Sequence, residues 1–404
     1  MRFLCVNRPA TAEIFGQPYR LRPLNPRIEN IEDILVADIF TASELLTRHA
    51  EVLLEVDFDT TRFKGFPTFA NSVSDISPGD TVLLLRSGGI GDHVMLMPAL
   101  RIFREKFPAG SKIWLAIEKE KHCLFANHDG IDRLLPLPLR LSTLLGANKV
   151  IDFSSRQDWF DLESIHMTDG YLNFLKIDYK AISDKTPNMM WDPNRAPHIS
   201  GWFERIRKDH PGQPLVLLNW KASNRLRDLP AEKLLFLTDR FEKLLFVVAQ
   251  PADHSQQVLK TIEKYDGKRV YNLTPAMKSL EDYIAVVHHC DAVVSTDTAT
   301  GHLAESLQRP SLVLYGPTRD DLWIRYYKKT CPLRAEYIGH TCRSPCGRTK
   351  NTGNGCPESL HLETSYSPCL LSITEERIES EFRKMLETIR LTEGPKCFSK
   401  FTLP

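Results

Sequence analysis

The sequence predicts an α/β protein: two halves, each built on a parallel sheet, joined by a linker and preceded by a small domain of mixed type. Three observations predict it. From Thr81 onward, apolar runs of strand length alternate with helix-sized segments over short connections, the pattern of strand–helix–strand units. The alternation breaks over residues 186–213, where Pro187, Pro193, Pro197, Pro211 and Gly212 fall close together. It then restarts at Leu215. A chain of 404 residues is long enough for about two or three domains and a large core.

Residues 1–78 hold short apolar patches, Ile34–Ile39 and Val52–Val56, among prolines and charges. No period is sustained, and they read as a small appended domain. In residues 79–185, strands are expected at Thr81–Leu85, Ile113–Ile117, Arg133–Leu137 and Val150–Phe153. A helix follows the first strand to about Phe107, and another covers Trp159–Leu175. Thr81–Leu85 is a continuous apolar run, as expected where helices cover both faces of a sheet. Residues 186–213 are the expected linker.

In residues 214–373, strands are expected at Leu215–Asn219, Leu244–Ala249, Val270–Leu273, Ala292–Ser295 and Ser311–Tyr315. Helices fit Pro230–Phe241, His254–Tyr265, Ser279–Cys290 and Thr300–Leu307, with Ser279 and Asp282 as a capping pair. An amphipathic helix, Thr374–Leu391, opens the last segment, 374–404. A cleft between the halves is the default place for an active site.

Fifty-two Lys and Arg against 51 Asp and Glu leave a net charge of +1, so no nucleic-acid partner is expected. The longest apolar runs fall far short of the roughly 20 residues that span a bilayer. Met1–Pro9 puts a charge and a proline where a signal peptide needs an apolar stretch. A soluble, cytoplasmic protein is the expectation.

Gly88, Gly89 and Gly91 lie where the strand Thr81–Leu85 turns into a helix. Glycines permit a tight turn and close ligand approach, and a helix start offers unpaired N–H groups. A dinucleotide site prefers G-x-G-x-x-G and an acidic residue about 20 positions later. Here the spacing is GGxGD, and Asp92 would face a phosphate unfavourably. The loop suits presentation of a carboxylate, or Asp92 simply caps the helix.

The run Leu85-Arg86-Ser87-Gly88-Gly89-Ile90-Gly91-Asp92, followed by Pro98-Ala99-Leu100-Arg101, resembles the opening of glycosyltransferase family 9, the bacterial ADP-heptose:lipopolysaccharide heptosyltransferases. Asp297-Thr298-Ala299-Thr300-Gly301-His302-Leu303-Ala304 is similar to the family's Asp-Thr-Gly-x-x-His-Leu element, and Tyr315-Gly316-Pro317-Thr318 follows at the family's distance. The resemblance spans roughly residues 80–390. It implies a GT-B fold of two facing Rossmann-like domains, the acceptor side in 79–185 and the nucleotide-sugar side in 214–373. The implied reaction is an inverting transfer, with ADP-heptose as donor and a lipopolysaccharide, another glycan (lipid-linked included) or a protein as acceptor. No catalytic cofactor is implied.

Within that resemblance Asp92 is the general base that takes the acceptor hydroxyl's proton. The N–H groups of Thr298, Ala299 and Thr300, with the Thr hydroxyls, are expected on the diphosphate, Asp297 on a sugar hydroxyl, and His302 in the same donor element. Position 299 is Ala where the family has Gly; a positive φ there would strain it. Arg227, three before Pro230, matches the family's cation for the leaving group, with Lys221 and Arg225 candidates by proximity. Ser279-Leu280-Glu281 matches a segment near the nucleotide, which gives Glu281 a donor-binding role; Met277 or Lys278 either lines the nucleobase pocket or belongs to a helix start. His166, Asp169 and Tyr171 either face the acceptor or lie on ordinary helix surface. A sugar-nucleotide epimerase of the same fold and a non-catalytic scaffold are the alternatives. Self-association, for which the N-terminal domain is a natural place, and peripheral membrane contact are also compatible.

Five of nine cysteines fall within residues 331–369. Cys342, Cys346, Cys356 and Cys369 follow C-x3-C-x9-C-x12-C in a loop rich in Gly, Ser, Thr and Pro. Four thiolates so spaced can fold around one tetrahedral ion, zinc or iron, with Cys331 a substitute ligand. Free thiols and disulfides are the alternatives. The autotransporter branch of the family bears an iron-binding four-cysteine element and an extra N-terminal domain, a plan this chain resembles. Cys5, Cys123, Cys290 and Cys397 read as plain thiols.

Overall fold

The computed structural model describes residues 1–6, 10–14, 17–23, 31–154, 164–250, 260, 262, 265, 269–348 and 356–393. The chain forms two compact units, Met1–Lys185 and Thr186–Pro404.

In the first unit five parallel strands run in the order Thr68–Phe69, Lys149–Asp152, Thr81–Leu85, Lys112–Glu118, Arg133–Leu137. Val82 to Leu85 are fully buried, as a strand covered on both faces requires. From Thr81–Leu85 the chain fills one flank of the sheet and then returns to the other. The strand order therefore reverses between Thr81–Leu85 and Lys149–Asp152. At such a switch point the connections diverge and leave a crevice beyond the carboxyl ends of the strands. The glycine loop leaves the sheet there, and helix Ile90–Lys106 follows it.

Residues 1–78, expected as a separate domain, are built into this unit. A four-stranded antiparallel sheet runs Leu139–Arg140, Leu35–Ala37, Arg2–Val6, Leu53–Val56, so its first strand comes from the far end of the same unit. Ile34 and Val36 share one core with Leu83, Leu85, Ala116 and Leu137. Tyr19 donates its hydroxyl to the Pro138 carbonyl at 2.7 Å. The segment builds a small core of its own from Leu4, Val6, Leu21, Leu35, Leu45 and Leu53, and its other face closes against the neighbouring sheet.

The second unit holds six parallel strands in the order Val270–Asn272, Leu245–Val248, Leu215–Asn219, Ala292–Thr296, Ser311–Tyr315, Thr330–Arg334. The reversal lies between Leu215–Asn219 and Ala292–Thr296. The edge strand Thr330–Arg334 has no counterpart in the sequence reading. Pro332 masks it, yet an edge is where a strand tolerates proline. Helix Glu375–Glu393 returns Ile378, Phe382, Met385 and Leu386 to the core of this unit.

The interval 186–213 is not a plain linker, because it carries helix Pro197–Asp209. Pro197 sits in the first turn, where its missing N–H costs nothing, and Ile199, Phe203 and Ile206 bury one face. Of helix Trp159–Leu175, only Met167–Phe174 is found within the described residues, since 155–163 lie outside them. Most of His254–Tyr265 and Cys397 also lie outside them.

His288 and His289 end helix Leu280–His289, and burial, followed by nearby positive charge, pushes each down to about 4. Unfolded histidine titrates near 6.5, so between about pH 6.5 and 4 the unfolded chain binds more protons and stability falls with pH. Urea unfolding at pH 7 and pH 5 should show lower stability at pH 5, and His289→Phe, which keeps the stacking on Phe203, should narrow the difference. An unchanged difference would remove His289 as a cause.

Candidate functional site

At the first switch point the chain turns on Gly88, whose φ of +135° is a conformation that suits glycine alone. Gly89 precedes the helix, and Asp92 is its third residue. Asp92 Oδ2 accepts the Gly89 N–H at 3.0 Å and pairs with the Arg86 guanidinium at 3.1 Å. Its other oxygen, Oδ1, accepts no hydrogen bond among the described residues. The Asp92 side chain is 28 % exposed, so the helix cap and an available carboxylate oxygen coexist.

Arg86 is buried, which works against its charge, but Tyr171 and Asp92 more than offset this and hold its pKa above the usual value. Tyr171 accepts from Arg86 Nε at 2.8 Å and donates to the Asp92 carbonyl at 3.2 Å; burial pushes its pKa up to about 12. His166, Asp169 and Tyr171 are all buried, so none lies on helix surface. Asp169 pairs with Lys185 at 2.5 Å, and Tyr171 braces the glycine loop at Asp92. Behind the loop, the Ser87 hydroxyl donates to Asp38 at 2.7 Å while Asp38 caps helix Ile39–Arg48. Arg86, Asp38 and Ser87 escaped the sequence reading as site residues, although Arg86 carried a signal as the first residue past the central strand.

At the second switch point Asp297 follows strand Ala292–Thr296. Its Oδ2 accepts from the Thr318 hydroxyl at 2.6 Å, and Arg227 Nη1 reaches its carbonyl at 3.0 Å and Oδ2 at 3.5 Å. Thr298 caps helix Ala299–Ser306 by accepting the Thr300 N–H at 3.1 Å. The N–H groups of Thr298 and Ala299 have no partner among the described residues. Both threonine hydroxyls are spent inside the unit. Asn219 Nδ2 donates to Thr298 at 3.2 Å and to Thr300 at 2.5 Å, and Tyr283 meets Thr300 at 2.6 Å.

Ala299 is the first helical residue and has no positive φ, so its departure from glycine introduces no strain. Gly301 is the residue that needs to be small, because a Cβ there would stand 2.9 Å from Val313 Cγ2. His302 is buried and meets the Tyr327 hydroxyl at 2.5 Å.

Lys221 is paired with Asp228 at 3.0 Å, and Glu281 with Arg195. Arg225 is exposed, with no side-chain partner among the described residues. Arg227 is thus the cation brought to the loop. Asn219 and Tyr283 were missed by the sequence reading; Asn219, a polar residue closing a central strand, carried a signal.

Residues 200–351 match the family model of glycosyltransferase family 9 (heptosyltransferase). The matched domain lies within the second unit.

That domain makes the protein a glycosyltransferase, and its solved relatives share the GT-B fold. A family 9 glycosyltransferase from Veillonella parvula aligns with a TM-score of 0.58 at 16% identity, over 78% of this chain and 98% of that one. The E. coli ADP-heptose lipopolysaccharide heptosyltransferase II aligns at 0.57 and 15%, over 78% and 99%. The dodecameric iron-containing heptosyltransferase TibC, in complex with ADP-D-beta-D-heptose, aligns at 0.51 and 10%, over 78% of each chain; TibC is from enterotoxigenic E. coli. No curated protein matches the chain by sequence. Among the described residues no helix is long and apolar enough to cross a membrane.

The second unit also gathers Cys342, Cys346, Cys356 and Cys369 around one small pocket. Burial, followed by the neighbouring thiols Cys346 and Cys356, pushes Cys369 up to about 12. Glu358 orders the pocket wall by accepting from Thr341 (hydroxyl 2.5 Å, N–H 2.7 Å), the His340 N–H (2.9 Å) and the Tyr337 hydroxyl (3.0 Å). These bonds, those from Thr341 foremost, hold its carboxyl down at about 2. Cys331 lies in the edge strand, packed against the core and outside the lining of this pocket. As placed, no group of three or more His, Cys, Asp or Glu among the described residues is set to hold a metal ion.

A Cβ added at Gly88 would stand 2.6 Å from Asp92 Oδ2. Gly88→Ala should therefore lower stability by about 1–3 kcal/mol in urea unfolding. Wild-type stability would mean the loop relaxes freely, and the close contact would not constrain Asp92.

Proposed function

We propose that the protein transfers heptose from ADP-heptose, with inversion, to a hydroxyl of a lipopolysaccharide, another glycan or a protein acceptor, in the cytoplasm. The observation that carries the reading is Asp92, with one carboxylate oxygen held by Gly89 and Arg86 and the other available. As the acceptor oxygen attacks the anomeric carbon, the free oxygen takes its proton. The bond from that carbon to the diphosphate breaks, and the nucleoside diphosphate leaves. The unpaired N–H groups at the start of helix Ala299–Ser306 and the Arg227 guanidinium supply positive ends for the charge that develops on the leaving group. ADP-heptose is favoured over other donors because the names of two relatives carry it.

Cys342, Cys346, Cys356 and Cys369 suit zinc or iron by their chemistry, four thiols facing one pocket. In this reading the ion holds the loop together and takes no part in transfer. TibC is iron-containing and dodecameric, which supports looking for iron and for self-association here. A lipid-linked acceptor would bring the enzyme to a membrane surface.

ADP should raise the melting temperature selectively over UDP, GDP and CMP; at 100 times its dissociation constant it adds about 2.7 kcal/mol. Asp92→Asn should cut ADP release from ADP-heptose, supplied with extracted lipopolysaccharide or protein acceptors, by about 10²–10⁴-fold while the ADP shift persists. If stability and the ADP shift fall together, Asp92 is a helix cap and nothing more. Conversion of the sugar nucleotide without acceptor would point to an epimerase instead.

Metal analysis of the purified protein should find about one iron or zinc per chain, lost in Cys342→Ser/Cys369→Ser. Metal-free protein with full thermal stability would end the structural-ion reading.

A further inference from the structure

Resting on the reading of Asp92 as the base, we infer that Lys121 is a positioning residue that acts on Asp92 through a single peptide group. Lys121 Nζ donates to the Gly88 carbonyl at 2.7 Å. The N–H of that same peptide, from Gly89, donates to Asp92 Oδ2 at 3.0 Å. A cation therefore sits at one end of the Gly88–Gly89 amide and a carboxylate at the other, each on the end of the dipole that suits it. The ammonium polarises the carbonyl, which strengthens the N–H as a donor, and it does so with little screening because its side chain is only 12% exposed.

Glu118 fixes the other side of Gly88. Its Oε1 accepts the Gly88 N–H at 3.1 Å and pairs with Lys121 at 2.7 Å. Both peptide groups flanking Gly88 are thus pinned by one ion pair. The pin matters because glycine rotates easily between conformations. Rotation of the Gly88–Gly89 amide would turn its carbonyl toward Asp92 and replace attraction with repulsion. Lys121 and Glu118 come from the strand end and turn at 112–124, a different part of the sheet from the glycine motif, and they do not touch Asp92.

The test uses full-length protein labelled with ¹⁵N-glycine, the Gly89 amide being assigned by its loss in Gly89→Ala. Wild type should show a slowly exchanging Gly89 amide. In Lys121→Met its exchange should accelerate by about 10–100-fold, and kcat for ADP release should fall by a similar factor with KM for ADP-heptose within about twofold. Lys121→Arg should recover most of both. Since Lys121→Met leaves Glu118 buried without its partner, Glu118→Gln/Lys121→Met supplies a variant with neither charge, and the same losses are expected there. A folded Lys121→Met or double variant with wild-type Gly89 exchange and kcat would overturn the inference. Full turnover by Asp92→Asn would instead overturn the base reading, and the exchange measurement would still decide whether Lys121 holds the peptide.

Discussion

A chain that leaves an interior strand of a parallel sheet to fill one flank has to return for the other, and the two directions part beside that strand. Both units obey this constraint. Thr81–Leu85 and Leu215–Asn219 are interior strands, and in each case the chain completes one flank before returning to the other. The crevice at each parting is a consequence of connectivity, not of any particular side chain. The glycine loop and the segment from Asn219 to Arg227 emerge at these two places, with Asp297 following the strand beside the second. The chemistry of the protein is attached where the fold leaves room for it.

Around the first crevice the protein tolerates a density of buried charge that would be ruinous if unpaired. Arg86 survives burial because Tyr171 and Asp92 face it. Glu118 is disfavoured by burial, yet the Lys121 ammonium paired with it at 2.7 Å brings its pKa below the usual value. His93 remains in its neutral direction, burial outweighing the pull of Glu118, and its ring nitrogens meet the carbonyls of Gly89 and Arg86 at 2.8 Å and 3.2 Å. These groups hold backbone as much as they hold each other, so their electrostatic stabilisation is converted into a fixed loop shape. The second crevice adds neutral locks to its charges: beside the Arg227–Asp297 contact, Asn219 and Tyr283 hold the threonines of the helix start.

Legibility in the sequence followed the physical signal available. Fully buried strands such as Leu215–Asn219 announce themselves as apolar runs, and the glycine turn and the Asp297–His302 element carry local motifs. Thr330–Arg334 was invisible because an edge strand need not be apolar and here contains Pro332. Helix Pro197–Asp209 hid among prolines that read as breakers, although a proline in a first turn starts a helix. Glu118 and Lys121 had no motif at all. Their roles depend on which strand lies beside Thr81–Leu85, which is a tertiary fact. The four cysteines were legible as a group, and the structure adds Glu358 as the residue that orders their pocket wall. Lys221, in contrast, looked like a free cation and is tied to Asp228, three-dimensional pairing that spacing does not reveal.

The shared sheet of the first unit bears on how this chain could be recombined with its relatives. Leu139–Arg140 supplies an edge to strands that begin at Arg2, and Asp38 caps one helix while holding Ser87 in the glycine loop. A graft that exchanged residues 1–78 alone would cut through a hydrogen-bonded sheet and remove an anchor from the loop beside Asp92. The transferable piece is discontinuous: the opening segment together with residues 138–141 and the partner of Asp38. Lineages that gained or lost the opening segment would have had to adjust those distant positions in step.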